Sequence, residues 1–271
     1  MRAHRHIRAA LAVAAATLLP AIASAAQPLA DLVPHQAIYE VSVGRPSEVD
    51  VRAAGEVTMR AEKTCKGWRV MHRLEVALAI AGQDPLQMVS QIAFDESAEA
   101  TRLDFASALE INGETVERSK GNARLDPAGK PGQAFFQEPE EELKTLPPET
   151  VLPVRAFAVS MGRLLQGERV VEQLVFDGSD QSGPIRISDL LLGEAPALET
   201  APKGDAALAK GPFLRILSSY IDPGTTDSEP RSVQRADINA AGVTGRWSFN
   251  IDSIPLRAEL SEIKALPEPD C

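Results

Sequence analysis

The side chains best able to do chemistry in this sequence are two cysteines, Cys65 and Cys271. In an oxidising compartment an isolated pair of cysteines predicts a disulfide bond, which here would fasten the last residue to residue 65. Two free thiols are the alternative. A metal site needs more ligands than these cysteines and the two histidines of the mature chain, His35 and His72, so we expect no metal and no cofactor.

The sequence contains none of the common catalytic motifs: no G-x-S-x-G, no H-E-x-x-H, no phosphate loop and no C-x-x-C. A Ser-His-Asp triad would have to use His35 or His72. His72 belongs to an alternating apolar segment and is predicted to be an interior histidine. His35 follows Pro34 at the start of a strand and is predicted to be more exposed. We therefore expect that the protein is not an enzyme.

Residues 1–25 have the three parts of a Sec signal peptide. Three arginines precede a short run rich in alanine and leucine, and residues 23–25 form an A-x-A cleavage site. The run is too short to span a bilayer, although an N-terminal membrane anchor is the alternative. We expect cleavage near Ala25 and export of the mature chain to the periplasm, which would supply the oxidising surroundings that a disulfide needs.

The chain is acidic, with a formal net charge of −10. Removal of the three leader arginines would take this charge to −13, because the leader contains no acidic residue. Such a surface repels nucleic acid and anionic headgroups, so nucleic-acid binding is not expected. No later apolar stretch is long enough to cross a membrane, and we expect a soluble protein that is not membrane-spanning.

Alternation of apolar and polar residues with period two dominates the mature chain and predicts β-strands. In residues 68–80 the even positions from Trp68 to Ile80 fall on one face, and a strand of this length suits a curved sheet. Asn112-Gly113 predicts a tight hairpin. The expected fold is mainly β: a long antiparallel meander rolled into an open barrel or β-spiral. Since one cysteine pair would fasten the C-terminus to the third strand region, we expect a single domain over residues 26–271.

One segment breaks the strand pattern. Residues 152–166 are predicted to form a helix, with Pro153 near its start and Gly167 after its end. Its apolar stripe contains Leu152, Phe157, Met161 and Leu164 or Leu165, and we expect it to pack on the concave face of the sheet. Residues 195–212 contain 11 alanines, prolines or glycines among 18 residues. This segment is predicted to pack poorly and to be a mobile loop.

The chain resembles the EipB family of alphaproteobacterial cell-envelope integrity proteins over essentially its whole mature length. Five segments in this order carry the resemblance: Leu-Val-Pro-His-Gln-Ala-Ile-Tyr (32–39), Cys-Lys-Gly-Trp (65–68), Leu-Pro-Pro-Glu-Thr (146–150), Val-Phe-Asp-Gly-Ser-Asp (175–180) and Leu-Pro-Glu-Pro-Asp-Cys (266–271). The resemblance implies a periplasmic sheet rolled into an open spiral around a helix, similar in shape to the lipoprotein carriers LolA and LolB. It also implies a Cys65–Cys271 disulfide and a role in envelope integrity.

Two functions are consistent with these features. In the first, the protein is a non-enzymatic periplasmic protein whose concave sheet binds a lipid, a lipopeptide or a lipoprotein acyl chain. The residues expected near such a ligand are Trp68, Leu74, Leu78, Phe157 and Met161. In the second, the protein is an interaction scaffold that binds another periplasmic or envelope protein through an exposed sheet edge and holds no small ligand.

Overall fold

The computed structural model describes residues 29–44, 51–126, 128–179, 181–223 and 229–271. The predicted signal peptide and its cleavage site lie outside these described residues. The strands of the described part are β1 (His35–Val43), β2 (Val51–Thr64), β3 (Gly67–Ile80), β4 (Leu86–Ser97), β5 (Arg102–Ile111), β6 (Glu114–Arg124), β7 (Gly132–Glu138), β8 (Glu142–Leu146), β9 (Thr150–Val151), β10 (Val170–Val175), β11 (Ile185–Ala195), β12 (Lys203–Gly204), β13 (Phe213–Ile221), β14 (Ser232–Asn239), β15 (Thr244–Ile251) and β16 (Ile254–Ala265). Helix α1 (Pro153–Leu165) follows β9, and a short 3-10 helix (Ala206–Ala209) follows β12.

The strands form one sheet made of two wings. In the first wing, β1 to β8 pair in sequence order. In the second wing, β9 to β16 also pair in sequence order, except that β11 pairs directly with β13 and β12 pairs with β16. β1 pairs with β16 and joins the wings at the centre. Pairing among the described strands is antiparallel apart from two parallel contacts of two residues each, β9 with β10 and β12 with β16. The mainly β fold predicted from the alternation is confirmed.

The sheet is nearly closed on itself. Its edge strands are β8 and β9. β8 ends at Leu146 and β9 begins at Thr150, so only residues 147–149 connect the two edges. Four Cα–Cα steps of 3.8 Å bring these edges to within about 15 Å of each other. A flat sheet with strands about 4.8 Å apart would separate its edges several times further. The sheet is therefore rolled, which confirms the predicted barrel-like spiral.

The predicted strand alternation is clearest in β3. Even-numbered residues from Trp68 to Ile80 are buried or half-buried and form the inner face, whereas the odd-numbered residues between them are exposed. The hairpin between β5 and β6 also has the predicted turn, since Asn112 and Gly113 have φ angles of 50° and 84°. Both residues therefore have the positive φ that a tight two-residue turn requires.

The described residues form three apolar clusters in the interior. The largest packs residues of β1, β2 and β3 against β15 and β16. The second is built around Phe105, Phe136 and Phe176, whose rings meet edge to face with centroids 5.2 to 6.1 Å apart. The third packs Met161 and Leu164 of α1 against the second wing. Within the described part of the chain, no helix combines the length and apolar character needed to cross a membrane.

Most of residues 195–212 are exposed, yet the segment contacts the sheet at specific points. Asn239 donates hydrogen bonds to the carbonyls of Leu208 and Lys210, at 2.8 and 3.3 Å, and Asp205 accepts one from the backbone N–H of Ala265 at 2.8 Å. Ala209 is buried in the largest apolar cluster. Hydrogen bonds to the sheet hold this segment, and a count of its large apolar residues does not reveal them. Its mobility stays a prediction.

Candidate functional site

Helix α1 begins and ends within one residue of its predicted limits, and β4 fixes its N-terminus. Pro153 occupies the first turn, where a missing N–H costs no hydrogen bond. The Glu96 carboxylate accepts hydrogen bonds from the backbone N–H groups of Val154 and Arg155, at 2.7 and 2.9 Å. The same carboxylate lies at the positive end of the helix dipole. A residue 58 positions away in sequence therefore supplies the helix cap.

The C-terminus of α1 closes with a Schellman motif. Gly167 has a φ of 91°, and its N–H donates to the carbonyl of Leu164 at 3.0 Å. The N–H of Glu168 donates to the carbonyl of Arg163 at 3.1 Å, which completes the motif. The side chains of Arg163 and Glu168 also form an ion pair. Both ends of the helix thus have hydrogen-bond partners.

A cavity of 280 Å³ lies between α1 and the inner face of the second wing. The helix contributes residues spaced three or four apart, among them Phe157 and Met161, which place one helix face over the sheet. The sheet contributes inward residues of β10, β11, β13, β14 and β15. The apolar part of the lining consists mainly of Phe157, Met161, Ile187, Ile216, Ala236 and Ile238.

A polar row crosses the floor of this cavity. Asp189, Ser218 and Gln234 lie directly opposite one another on β11, β13 and β14. The Ser218 hydroxyl donates to one oxygen of Asp189 at 2.6 Å, and the Ser160 hydroxyl of α1 donates to the other oxygen. The helix is therefore hydrogen-bonded to the sheet through a carboxylate that borders open space.

Aromatic groups surround the polar row. The indole N–H of Trp247 donates to the side-chain oxygen of Gln234 at 3.0 Å, and the His72 ring meets the Trp247 ring edge-on at 5.6 Å. Burial lowers the pKa of His72 to about 4, so this ring is neutral at pH 7. Burial, with a further contribution from Asp189, raises the pKa of Tyr220 and keeps its phenol protonated. The wall is aromatic and carries no positive charge at neutral pH.

The two histidines lie apart from any catalytic arrangement in the described residues. His35 Nδ1 is 2.7 Å from the Val33 carbonyl, and burial lowers the pKa of His35. The prediction that His35 is more exposed is wrong, because it pairs with Ala265 on one side and Ala61 on the other, in the middle of the sheet. His72 lies on the inner face, as predicted. Within the described chain neither imidazole is hydrogen-bonded to a serine or a carboxylate.

The structure separates the five residues predicted to lie near a ligand. Phe157 and Met161 line the cavity beneath α1. Leu74 and Leu78 are buried in the largest apolar cluster, on another part of the inner face. Trp68 borders a surface depression next to the turn between β2 and β3. The helix residues therefore share a site, the β3 residues do not, and ligand contact by any of them stays a prediction.

Sequence reasoning did not select the polar residues of the cavity. Asp189 has the same parity as Ile187 in β11, and Ser218 has the same parity as Ile216 in β13, so each shares an inner face with an apolar neighbour. The sequence did contain one indication: a polar residue at a strand position where the alternation predicts an inward-facing apolar residue. It could not show that Ser160 and these two residues meet, because their positions depend on long-range pairing.

Cys65 and Cys271 form a disulfide bond, with their Cα atoms 5.7 Å apart. The bond ties the C-terminal segment to the turn between β2 and β3. An ion pair between Lys63 and Glu268, at 3.4 Å, lies in the same region. The disulfide predicted from the solitary cysteine pair is confirmed.

Comparison with known proteins agrees with this architecture. The chain is 24% identical over 226 residues to the cell envelope integrity protein EipB of Brucella abortus (strain 2308), an alignment that covers 80% of each protein. It is also similar to the crystal structure of a β-barrel-like protein of a domain of unknown function from Brucella abortus, with a TM-score of 0.78 and 18% identity. That likeness covers 88% of this chain and all of the solved one. A family model described as EipB-like matches residues 26–267, and the chain belongs to the EipB-like family.

Proposed function

We propose that this chain is a non-enzymatic periplasmic protein that supports cell-envelope integrity by holding the apolar chain of a lipid or lipopeptide beneath helix α1. One observation carries the proposal: the cavity of 280 Å³ between α1 and the inner sheet face, with its largely apolar lining. The name of the Brucella abortus relative supports the envelope role. The lining serines support a binding role, because Ser160 and Ser218 are hydrogen-bonded to a carboxylate and not to a histidine base.

The volume of the cavity restricts what it can hold. Small-molecule sites usually measure about 300–1,000 Å³, so a cavity of 280 Å³ lies at the small end. One short hydrocarbon chain fits this space better than a complete two-chain lipid. We therefore infer that the cavity takes a single chain, or the end of a longer one, while the rest of the ligand remains outside.

Native mass spectrometry of protein purified from the periplasm tests the proposal directly. We expect a co-purified species whose mass corresponds to an acyl-containing molecule and which is lost on denaturation. A second test needs no knowledge of the natural ligand: 1-decanol is titrated into the purified protein by calorimetry. Saturable binding of one molecule per chain is expected.

A cavity-filling variant locates the binding site. Ala236 lines the cavity, so Ala236→Leu adds three carbon atoms to the space that the probe would occupy. We expect it to weaken decanol binding by about tenfold or more, since each methylene that loses burial costs roughly 0.8 kcal/mol. Ala77→Leu is the matched control, because Ala77 is exposed on the outer face of β3. Equal affinity in the wild type and both variants would place any decanol site outside the cavity and contradict the proposal.

One observation favours the second function, an interaction scaffold. Among the described strands, β8 is hydrogen-bonded to a neighbour on one side only, and Leu143, its second residue, is 64% exposed. An edge of this kind can add a strand from a partner protein. If decanol does not bind and no ligand co-purifies, a pull-down from envelope extract with wild type and Leu143→Lys protein is the appropriate experiment. A partner retained by the wild type and lost by the variant would support the scaffold function.

A further inference from the structure

The charges that line the cavity have one sign. Its two charged lining residues are Asp177 and Asp189, and the described residues that form the lining include no lysine, arginine or histidine. His72, which contacts the aromatic wall from outside the lining, is neutral at pH 7. A ligand in this space therefore meets two carboxylates and no cationic side chain among the described lining residues.

Asp189 has hydrogen-bonding capacity left over. Each of its oxygens accepts one serine hydroxyl, from Ser218 and Ser160. An ionised carboxylate has about four lone-pair sites, so roughly two remain. In the part of the chain that the structure describes, no lysine or arginine lies within ion-pair distance of Asp189. The carboxylate borders the cavity with acceptor positions available to a ligand.

Asp237, on β14 and two strands away from Asp189 on β11, provides an internal comparison. Its carboxylate is buried, and it accepts from Arg215 at 2.8 Å and from Arg246 at 2.9 Å. Hydrogen bonds from these two cations lower the pKa of Asp237 against the effect of burial. At Asp237, arginines on the two adjacent strands neutralise a carboxylate that serves the structure of the sheet. Among the described residues, Asp189 has two neutral hydroxyl donors and no cation, which is the arrangement expected of a carboxylate that meets a donor from a ligand.

The aromatic lining suits the same kind of ligand. Phe157, Tyr220 and Trp247 all border the cavity. Aromatic faces attract ammonium groups through their electron-rich surface, whereas they offer nothing comparable to a carboxylate. Carboxylate and aromatic groups together therefore favour a positively charged or hydrogen-donating polar end, next to apolar residues that accept a hydrocarbon chain.

We propose that the cavity selects amphiphiles whose polar end is an ammonium or another hydrogen-bond donor, and that it discriminates against fatty-acid anions, with Asp189 as the residue that sets this preference. The proposal rests on the proposed function, because it assumes that an apolar chain enters beneath α1. It adds the chemical class of the polar end, which the apolar lining alone does not specify.

A matched series of three probes tests the proposal: decylamine, 1-decanol and decanoate, which share one chain and differ in charge. Binding is measured by calorimetry at pH 7.5 and about 0.3 M salt, where the general negative surface is strongly screened and the half-buried carboxylate of Asp189 is screened less. We expect the wild type to bind decylamine about tenfold or more tightly than decanoate, with decanol between them. Equal affinities for decylamine and decanoate would overturn the proposal.

Variants assign the preference to one residue. Asp189→Asn should reduce the ratio of decylamine to decanoate affinity to within about threefold. Asp104→Asn removes the same charge from the exposed face of β5 and should leave the ratio as in the wild type. If Asp189→Asn does not fold, Gln234→Lys places a cation in the polar row and should favour decanoate. An unchanged ratio in a folded Asp189→Asn or Gln234→Lys protein would refute the role of the polar row.

The outcomes separate this inference from the function on which it rests. Failure of all three probes to bind would contradict the proposed function itself. Binding of decanol together with equal binding of the charged probes would leave the proposed function intact and remove only the preference for a donor.

Discussion

Glu96 provides a test of how the sheet holds its helix. Its carboxylate is buried at the N-terminus of α1 and accepts two backbone N–H groups of the first turn. Burial raises the pKa of Glu96 from 4.5 to about 7, although the N–H groups of Val154 and Arg155 and the charge of Arg155 act in the opposite direction. Glu96→Gln removes the ionisation and keeps a side chain of the same shape with one acceptor oxygen.

The sign of the effect follows from the two pKa values. The folded state binds the proton of Glu96 more tightly than the unfolded chain, because its pKa is higher in the folded state. The stability that this proton contributes is therefore fully present below pH 4.5 and is lost as the pH rises through about 7. At 1.36 kcal/mol per pKa unit, the loss amounts to about 3 kcal/mol.

Urea unfolding at a series of pH values between 4.5 and 8 measures this loss. We expect the free energy of unfolding of the wild type to fall by about 3 kcal/mol relative to that of Glu96→Gln across this interval. Asp95→Asn is the control, since Asp95 directly precedes Glu96 in β4 and its carboxylate forms an ion pair with Arg69 on the exposed face. Parallel pH profiles for the wild type and Glu96→Gln would refute the inference that this buried carboxyl titrates near neutrality.

Two further predictions concern stability. Cys271→Ser removes the disulfide, which links residues 206 apart in sequence, and should lower the free energy of unfolding by about 2–5 kcal/mol. The reduced wild type should have the same stability as the variant, and an unchanged urea midpoint would contradict this prediction. Phe136→Ala empties the centre of the phenylalanine cluster, where Phe136 is fully buried, and should cost about 3–5 kcal/mol. Leu143→Ala, at an exposed site on the next strand, should cost less than about 0.5 kcal/mol, so comparable losses in both variants would count against the packing argument.

Local signals account for most of the secondary structure. Each of these signals depends on a few neighbouring residues: the alternation in β3, the Asn112-Gly113 turn, and the proline and glycine that flank α1. At these places the structure agrees with the local prediction. The two-residue strands β9 and β12 are too short to show any period. Their pairing depends on which strands happen to lie beside them, so sequence reasoning missed them.

The candidate site was less predictable because long-range pairing builds it. Leu74 and Phe157 have similar apolar character, yet one packs in the core and the other faces open space. That difference depends on where α1 crosses the inner face, which Glu96 determines through hydrogen bonds to a distant helix. The exposure of His35 was predicted wrongly for a related reason, since only the pairing of β1 with β16 places its strand in the middle of the sheet.

The polar row has an energetic consequence for the helix above it. A helix that only completed a core would pack most stably on an apolar surface, since replacing buried polar or ionic groups by well-packed apolar ones is often neutral or stabilising by about 1–4 kcal/mol. The inner face offers such a surface nearby, where Ile216 and Ala236 are directly opposite each other. Instead, α1 places Ser160 on Asp189 and leaves 280 Å³ of space beside them. A floor of this kind sacrifices apolar packing, and a donor that entered the cavity would add hydrogen bonds to Asp189. For this reason the polar row supports a binding role for the space beneath α1 independently of the volume of the cavity.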